Sequence, residues 1–174
     1  MTKEELKKAL EECYQTIVSD VENIEESRFF APIGEKWSIA ENILHLTQSV
    51  KGLNQGLALP KTFLEQQFGK IDRPTLSYEG LVERYLTALG TGVTARGGFV
   101  PQMPENPSKM VLIESFKKHH QTLSDLLDNY SEADLDEYCI KHPLLKNLTI
   151  REFYYFMHYH ILHHRKAILR YREL

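Results

Sequence analysis

Residues 149–171, TIREFYYFMHYHILHHRKAILRY, decide the fold. At about 100° per residue, Phe153, Met157, Ile161, Ala167, Ile168 and Tyr171 gather on one side of a wheel, with Glu152, Lys166 and Arg170 opposite. That period belongs to a helix burying one face against other helices. Thr149 followed by Glu152 reads as a capping box, in which the hydroxyl and the carboxylate each accept an amide left open at a helix start. The stretch therefore predicts a last helix running from Ile150 nearly to the C-terminus.

Working outward, the same signals recur. Leu6, Ala9, Leu10, Cys13, Tyr14, Ile17, Val18, Val21 and Ile24 follow helical spacing behind a Thr2/Glu5 capping box. Pro32 and Gly34 then break the chain, and Ser38 with Glu41 opens a second helix to about Leu57, expected to lie antiparallel beside the first. Phe63, Leu64 and Phe68 suggest a short helical turn, and a third helix starts near Ser77 and runs through Leu81, Val82, Tyr85, Leu86 and Leu89. Gly90 to Pro107 is rich in glycine and proline and reads as a loop. Ser108 caps a fourth helix with the stripe Leu112, Ile113, Phe116, Leu123, Leu127 and Tyr130, and Ser131 to Asn147 is expected to be a mostly irregular crossover. No segment alternates long enough for a strand. The expectation is an all-α fold of four long helices plus a shorter one, in a single domain over 1–174.

Composition excludes several classes. A chain of 174 residues, 42% hydrophobic, can bury roughly 70% of its unfolded surface, so no disulfide staple is required. Its 21 basic and 24 acidic side chains nearly cancel, against nucleic-acid binding by a bulk positive field. Arg165, Lys166, Arg170 and Arg172 fall on the solvated side of the last helix, where they complement its dipole. No run approaches the roughly 20 apolar residues of a membrane helix, and Met1 to Lys8 is charged where a signal peptide would be apolar. Two cysteines, Cys13 and Cys139, fit a reducing compartment, so a cytoplasmic location is expected. The partner this leaves is a small molecule; a homodimer is open, although helices one and four show no apolar excess outside.

Four of the eight histidines lie between positions 158 and 164. His164 sits near the centre of the apolar sector and His160 inside it one turn earlier; imidazoles at i and i+4 can address one atom, as in helical zinc motifs. His163 at the polar edge and His158 beyond the other edge are not expected to ligate. Two buried imidazoles without partners would cost about 1–3 kcal/mol each, a penalty removed by a metal or by mutual hydrogen bonds. A third ligand must come from elsewhere. His45 lies about a third of a turn off the stripe Ile39, Ile43, Leu46, Val50, Leu53 and Leu57, which also suits a solvated surface histidine. It heads a row of small residues, Ser49, Gly52 and Gly56, that permits either close packing or a cavity. His120, beside His119, is the substitute, and His142 before Pro143 suits a cap on the last helix or a pocket rim. No nucleophile elbow, phosphate-cradling loop or paired CxxC is present.

The segment Lys36 to Leu46, KWSIAENILHL, followed by His142-Pro143 through Leu148-Thr149 into the HxxxH of His160 and His164, resembles the DinB-like superfamily, which includes YfiT-type proteins and some thiol-dependent transferases. The resemblance implies a four-helix bundle connected up-down-down-up, with one additional short helix. It also implies a divalent metal ion, zinc, nickel or iron-like, on His45, His160 and His164, with a fourth position open to water or a thiolate. Two activities follow by resemblance: S-transfer from a low-molecular-weight thiol of the bacillithiol, mycothiol or glutathione type, or metal-dependent hydrolysis. The loop from Arg96 to Pro104 and Trp37, Tyr78, Tyr85 and Tyr159 are candidate pocket walls. The competing reading is a non-catalytic bundle whose histidines bind metal idly or serve packing, acting as a stress-associated binding protein.

Overall fold

Each long helix begins where a short polar side chain can take up open amides. Thr2 caps α1 (Lys3–Glu22), Ser38 caps α3 (Ile39–Leu57) and Thr149 caps α8 (Ile150–Leu169), all three with the reciprocal glutamate bond. Ser77 and Ser108 cap α5 (Tyr78–Gly90) and α6 (Lys109–Leu127). The short helices are α2 (Glu26–Phe30), α4 (Lys61–Phe68) and α7 (Glu132–Glu137), and a 3-10 turn spans Gly97–Phe99. This computed structural model describes residues 1–32 and 34–170; Tyr171 and Arg172, assigned above to the last helix, lie outside them.

Polar contacts fix the direction of the four long helices. Met1 meets Tyr155 and Asp20 meets Arg165, so α1 and α8 run the same way. Lys7 pairs with Asp128 and Glu22 with Lys117, so α1 and α6 are antiparallel. Asn54 bonds the His119 carbonyl and Leu57 accepts from Tyr130, making α3 and α6 parallel, whereas Asn42 opposite His164 and His45 opposite His160 make α3 and α8 antiparallel. The order is up-down-down-up.

One neighbour relation departs from expectation. Both α1 and α3 pack on α6 and α8, so they face each other across the bundle diagonal rather than side by side. Adjacency is forced by short loops, and the connection over 23–38 is long enough to cross the bundle end while α2 packs on α3. Side chains of all four helices, among them Ile17, Leu46, Val50, Phe116, Leu123, Tyr154 and Ile161, are fully buried between them.

The segment 131–147, expected to be irregular, is instead folded. Ser131 and Asp134 form a capping box for α7, with aspartate doing what glutamate does elsewhere. An antiparallel hairpin follows, β1 (Cys139–His142) with β2 (Lys146–Thr149). Four residues are too few to display alternation. Its turn lacks the Asn-Gly signature and is closed by His142 Nδ1, which accepts the amides of Leu144 and Leu145 at 3.0 Å each. Glu152, placed by the wheel on the solvated side, is also fully buried: Arg73 and the Leu76 amide, from the connection before α5, cover it at 2.8 Å each. No helix among the described residues is long and apolar enough to cross a membrane.

Candidate metal centre

The antiparallel crossing of α3 and α8 brings His45, His160 and His164 together. All three are buried, and the Nε2 of His160 lies 3.1 Å from the Nε2 of both His45 and His164. His45 is therefore not a surface residue. The face of α3 that its stripe leaves bare is covered by the 3-10 turn and by the hairpin, which local periodicity cannot reveal.

Hydrogen bonds at the outer nitrogens set the tautomers. His45 Nδ1 donates to the Phe99 carbonyl at 2.7 Å, and His164 Nδ1 donates to Asn42 Oδ1 at 2.7 Å. The Asn42 amide is oriented by its own donation to the carbonyls of Trp37 and Ser38. A neutral imidazole protonated at Nδ1 presents a bare lone pair at Nε2, so two lone pairs point at the Nε2 of His160. One N–H there could satisfy only one of them well. His160 Nδ1, on the far side of the ring, is buried with no partner among the described residues. A cation at the common point would satisfy all three Nε2 atoms. Bonds of about 2.0–2.1 Å in tetrahedral geometry space ligand nitrogens by about 3.3–3.4 Å, close to the 3.1 Å of the two pairs that share His160, with all three atoms within 4.8 Å of one another. The donor set fits a borderline divalent metal.

Burial lowers the pKa of all three rings, outweighing the opposing effect of the Phe99 carbonyl on His45; for His160 and His164 the neighbouring imidazoles lower it further. The neutral form required of a ligand is thus the one present at neutral pH.

The cluster lines one end of a cavity of about 660 Å³ between α3, α5, α8, the hairpin and the loop before α6. That is within the size of small-molecule sites. Ser49 and Gly52 wall it; a side chain added at Gly52 would first meet Phe99 Cε1 at 3.9 Å. Gly56, in contrast, lets β1 approach, since a Cβ there would sit 3.1 Å from Ile140 Cδ1. The row of small residues thus makes both a cavity and a close contact.

Of the other candidates, Trp37, Tyr85 and Arg96 line the cavity, and so does His142, which closes the hairpin turn instead of capping α8. Burial holds the Tyr85 hydroxyl up at about 12, so it stays protonated and can donate a hydrogen bond. Tyr159 packs behind Tyr85, and Tyr78 bonds His158 beside a separate groove of about 730 Å³ whose Arg73, Asp136 and Arg151 are already paired. His163 is exposed at the rim. His120 does face the interior, but it is wedged against Tyr14 and Phe116, outside the histidine cluster. Sequence reading missed Asn42, the Phe99 carbonyl and Lys141. Asn42 left a trace, a polar residue one turn before His45; a backbone carbonyl leaves none.

An up-down-down-up bundle with a three-histidine cluster at the floor of a cavity defines a class of helical proteins with a candidate metal site. Within it, the chain belongs to the DinB superfamily, whose family profile matches residues 3–168. Its structure is similar to that of YfiT from Bacillus subtilis, described as a probable metal-dependent hydrolase with an unusual four-helix bundle topology. The TM-score is 0.68 at 15% identity, covering 98% of this chain and 86% of that one. No curated protein matches the chain significantly.

Proposed function

We propose that His45, His160 and His164 hold one divalent metal ion and that the chain is a metal-dependent enzyme acting on a small molecule in the adjoining cavity, by hydrolysis. The observation that carries this reading is the pair of Nδ1 bonds to Phe99 and Asn42, which turns two bare Nε2 atoms onto a third. The hydrolytic choice is supported by the description of YfiT. A bound divalent cation supplies Lewis acidity, lowering the pKa of a water or thiol beside it. The chain's own residues bind and orient: Phe99 and Asn42 hold the rings, the apolar wall holds the substrate's apolar part, and the Tyr85 hydroxyl offers a hydrogen-bond donor. S-transfer would use the same centre with a thiol brought by the second substrate, since neither Cys13 nor Cys139 lines the cavity.

The test is elemental analysis of protein purified without an affinity tag, beside the His45→Ala/His160→Ala/His164→Ala variant. About one equivalent of metal, lost in the variant, is expected; equal metal in both contradicts the reading. Hydrolysis of 4-nitrophenyl acetate and thiol conjugation of 1-chloro-2,4-dinitrobenzene, with and without chelator, then separate the two chemistries.

A further inference from the structure

The buried and the exposed parts of the cavity lining differ in character. The three histidines are buried; Arg96, from the loop before α6, and Lys141, from β1, are exposed, as is His163. Neither cation has a hydrogen-bond or ion-pair partner among the described residues, although most other arginines and lysines of the chain are engaged. Nor does any aspartate or glutamate among them line the cavity. Much of the remaining wall is apolar, from Leu53, Leu89, Ile140, Phe153 and Phe156.

Two cations from separate segments, both lining a mouth where no carboxylate stands among the described residues and neither paired with one of them, attract an anion and disfavour a cation. Arginine suits the planar fork of a carboxylate or the face of a phosphate. The apolar wall favours a hydrophobic spacer, and the histidine end is where chemistry would occur. We infer that the substrate carries an anionic group, carboxylate or phosphate, at one end, joined by an apolar segment to the group that reaches the histidines. The inference rests on the proposed function for what happens at the buried end, but the charge preference at the mouth stands independently of any metal.

The chain's one tryptophan, Trp37, lines the cavity, so its emission reports occupancy. The experiment titrates 4-phenylbutyrate, 3-phenylpropyl phosphate and the neutral 4-phenylbutanol into EDTA-stripped protein and into zinc-loaded protein. It repeats both series in the Arg96→Gln, Lys141→Gln and double variants. In stripped protein at least one anion should bind about tenfold tighter than the alcohol, the size of one charge-assisted hydrogen bond. That preference should fall below about threefold in the double variant and shrink in high salt. Which anion binds tighter identifies the head group.

Equal affinity for acid and alcohol, no saturable response to any probe, a preference that survives in the double variant, or one that appears only with zinc would each overturn the inference. Should zinc fail to bind while the charge preference persists, the metal reading falls and this one stands. Zinc binding to the histidines without a charge preference has the opposite meaning.

Discussion

Asn42 carries a role out of proportion to its visibility. Its Oδ1 fixes the tautomer of His164, and its amide is itself tied to two backbone carbonyls. Outer partners of this kind are typically worth 10–100-fold in metal affinity. Asn42→Leu should therefore weaken zinc binding by about that factor in a chelator competition while leaving the helical circular dichroism unchanged; undiminished affinity would contradict the role. His120 offers a test in stability. Burial drives its pKa down to about 3, and its Nε2 has no partner. The folded state keeps the ring neutral while the unfolded chain takes up a proton below about 6.5, so stability present above that pH is lost as the pH falls toward 3. His120→Phe should remove about 1.2 kcal/mol from the fall in unfolding free energy between pH 6 and 5, measured in urea; an unchanged slope counts against it. His160 and His164 were legible in the sequence because one helix face carries them. His45 was legible through the family resemblance but not through periodicity, because the cover over its side of α3 comes from residues more than 50 positions away, as the bond to Phe99 shows.

Capping boxes made the helix starts legible, and the same boxes hold more than local structure. Glu152 accepts the Thr149 amide, the Leu76 amide and the Arg73 guanidinium, binding the start of α8 to the chain before α5. Burial alone would raise its pKa, but these donors together hold it below the ordinary value. Glu152→Ala should cost about 2–4 kcal/mol of unfolding free energy by leaving buried donors open, and a loss under about 1 kcal/mol would contradict that account. The hairpin was illegible for a physical reason: short strands closed by an imidazole carry no pattern of period two. On α3, Gly52 tests the cavity itself. Gly52→Ala meets no close atom and should stabilise the helix by about 0.5–1 kcal/mol, whereas Gly52→Phe should abolish the response of Trp37 emission to 4-phenylbutyrate without unfolding the chain. A response that survives Gly52→Phe would place the ligand elsewhere.

At the scale of the molecule, the parallel pair α3 and α6 cannot be joined by a short loop. The connection they require, residues 58–108, supplies α5, the 3-10 turn and Arg96, that is, one wall of the cavity, the carbonyl that orients His45 and one mouth cation. Topology and site are thus linked. Periodicity along the sequence gave the number of long helices but could not give their order in space; that followed from resemblance, and the polar contacts between helix ends bear it out. Arg165, one of the cations on the last helix, is taken up by Asp20. Metal that binds only the folded chain should raise its stability by about 2.7 kcal/mol at a free concentration 100 times Kd, so chelator should lower the melting temperature. The most direct measurement is an anomalous-difference map from zinc-soaked crystals. A single peak about 2.0–2.2 Å from the Nε2 atoms of His45, His160 and His164 is predicted; no peak between those three rings, with zinc bound elsewhere or not at all, would contradict the account.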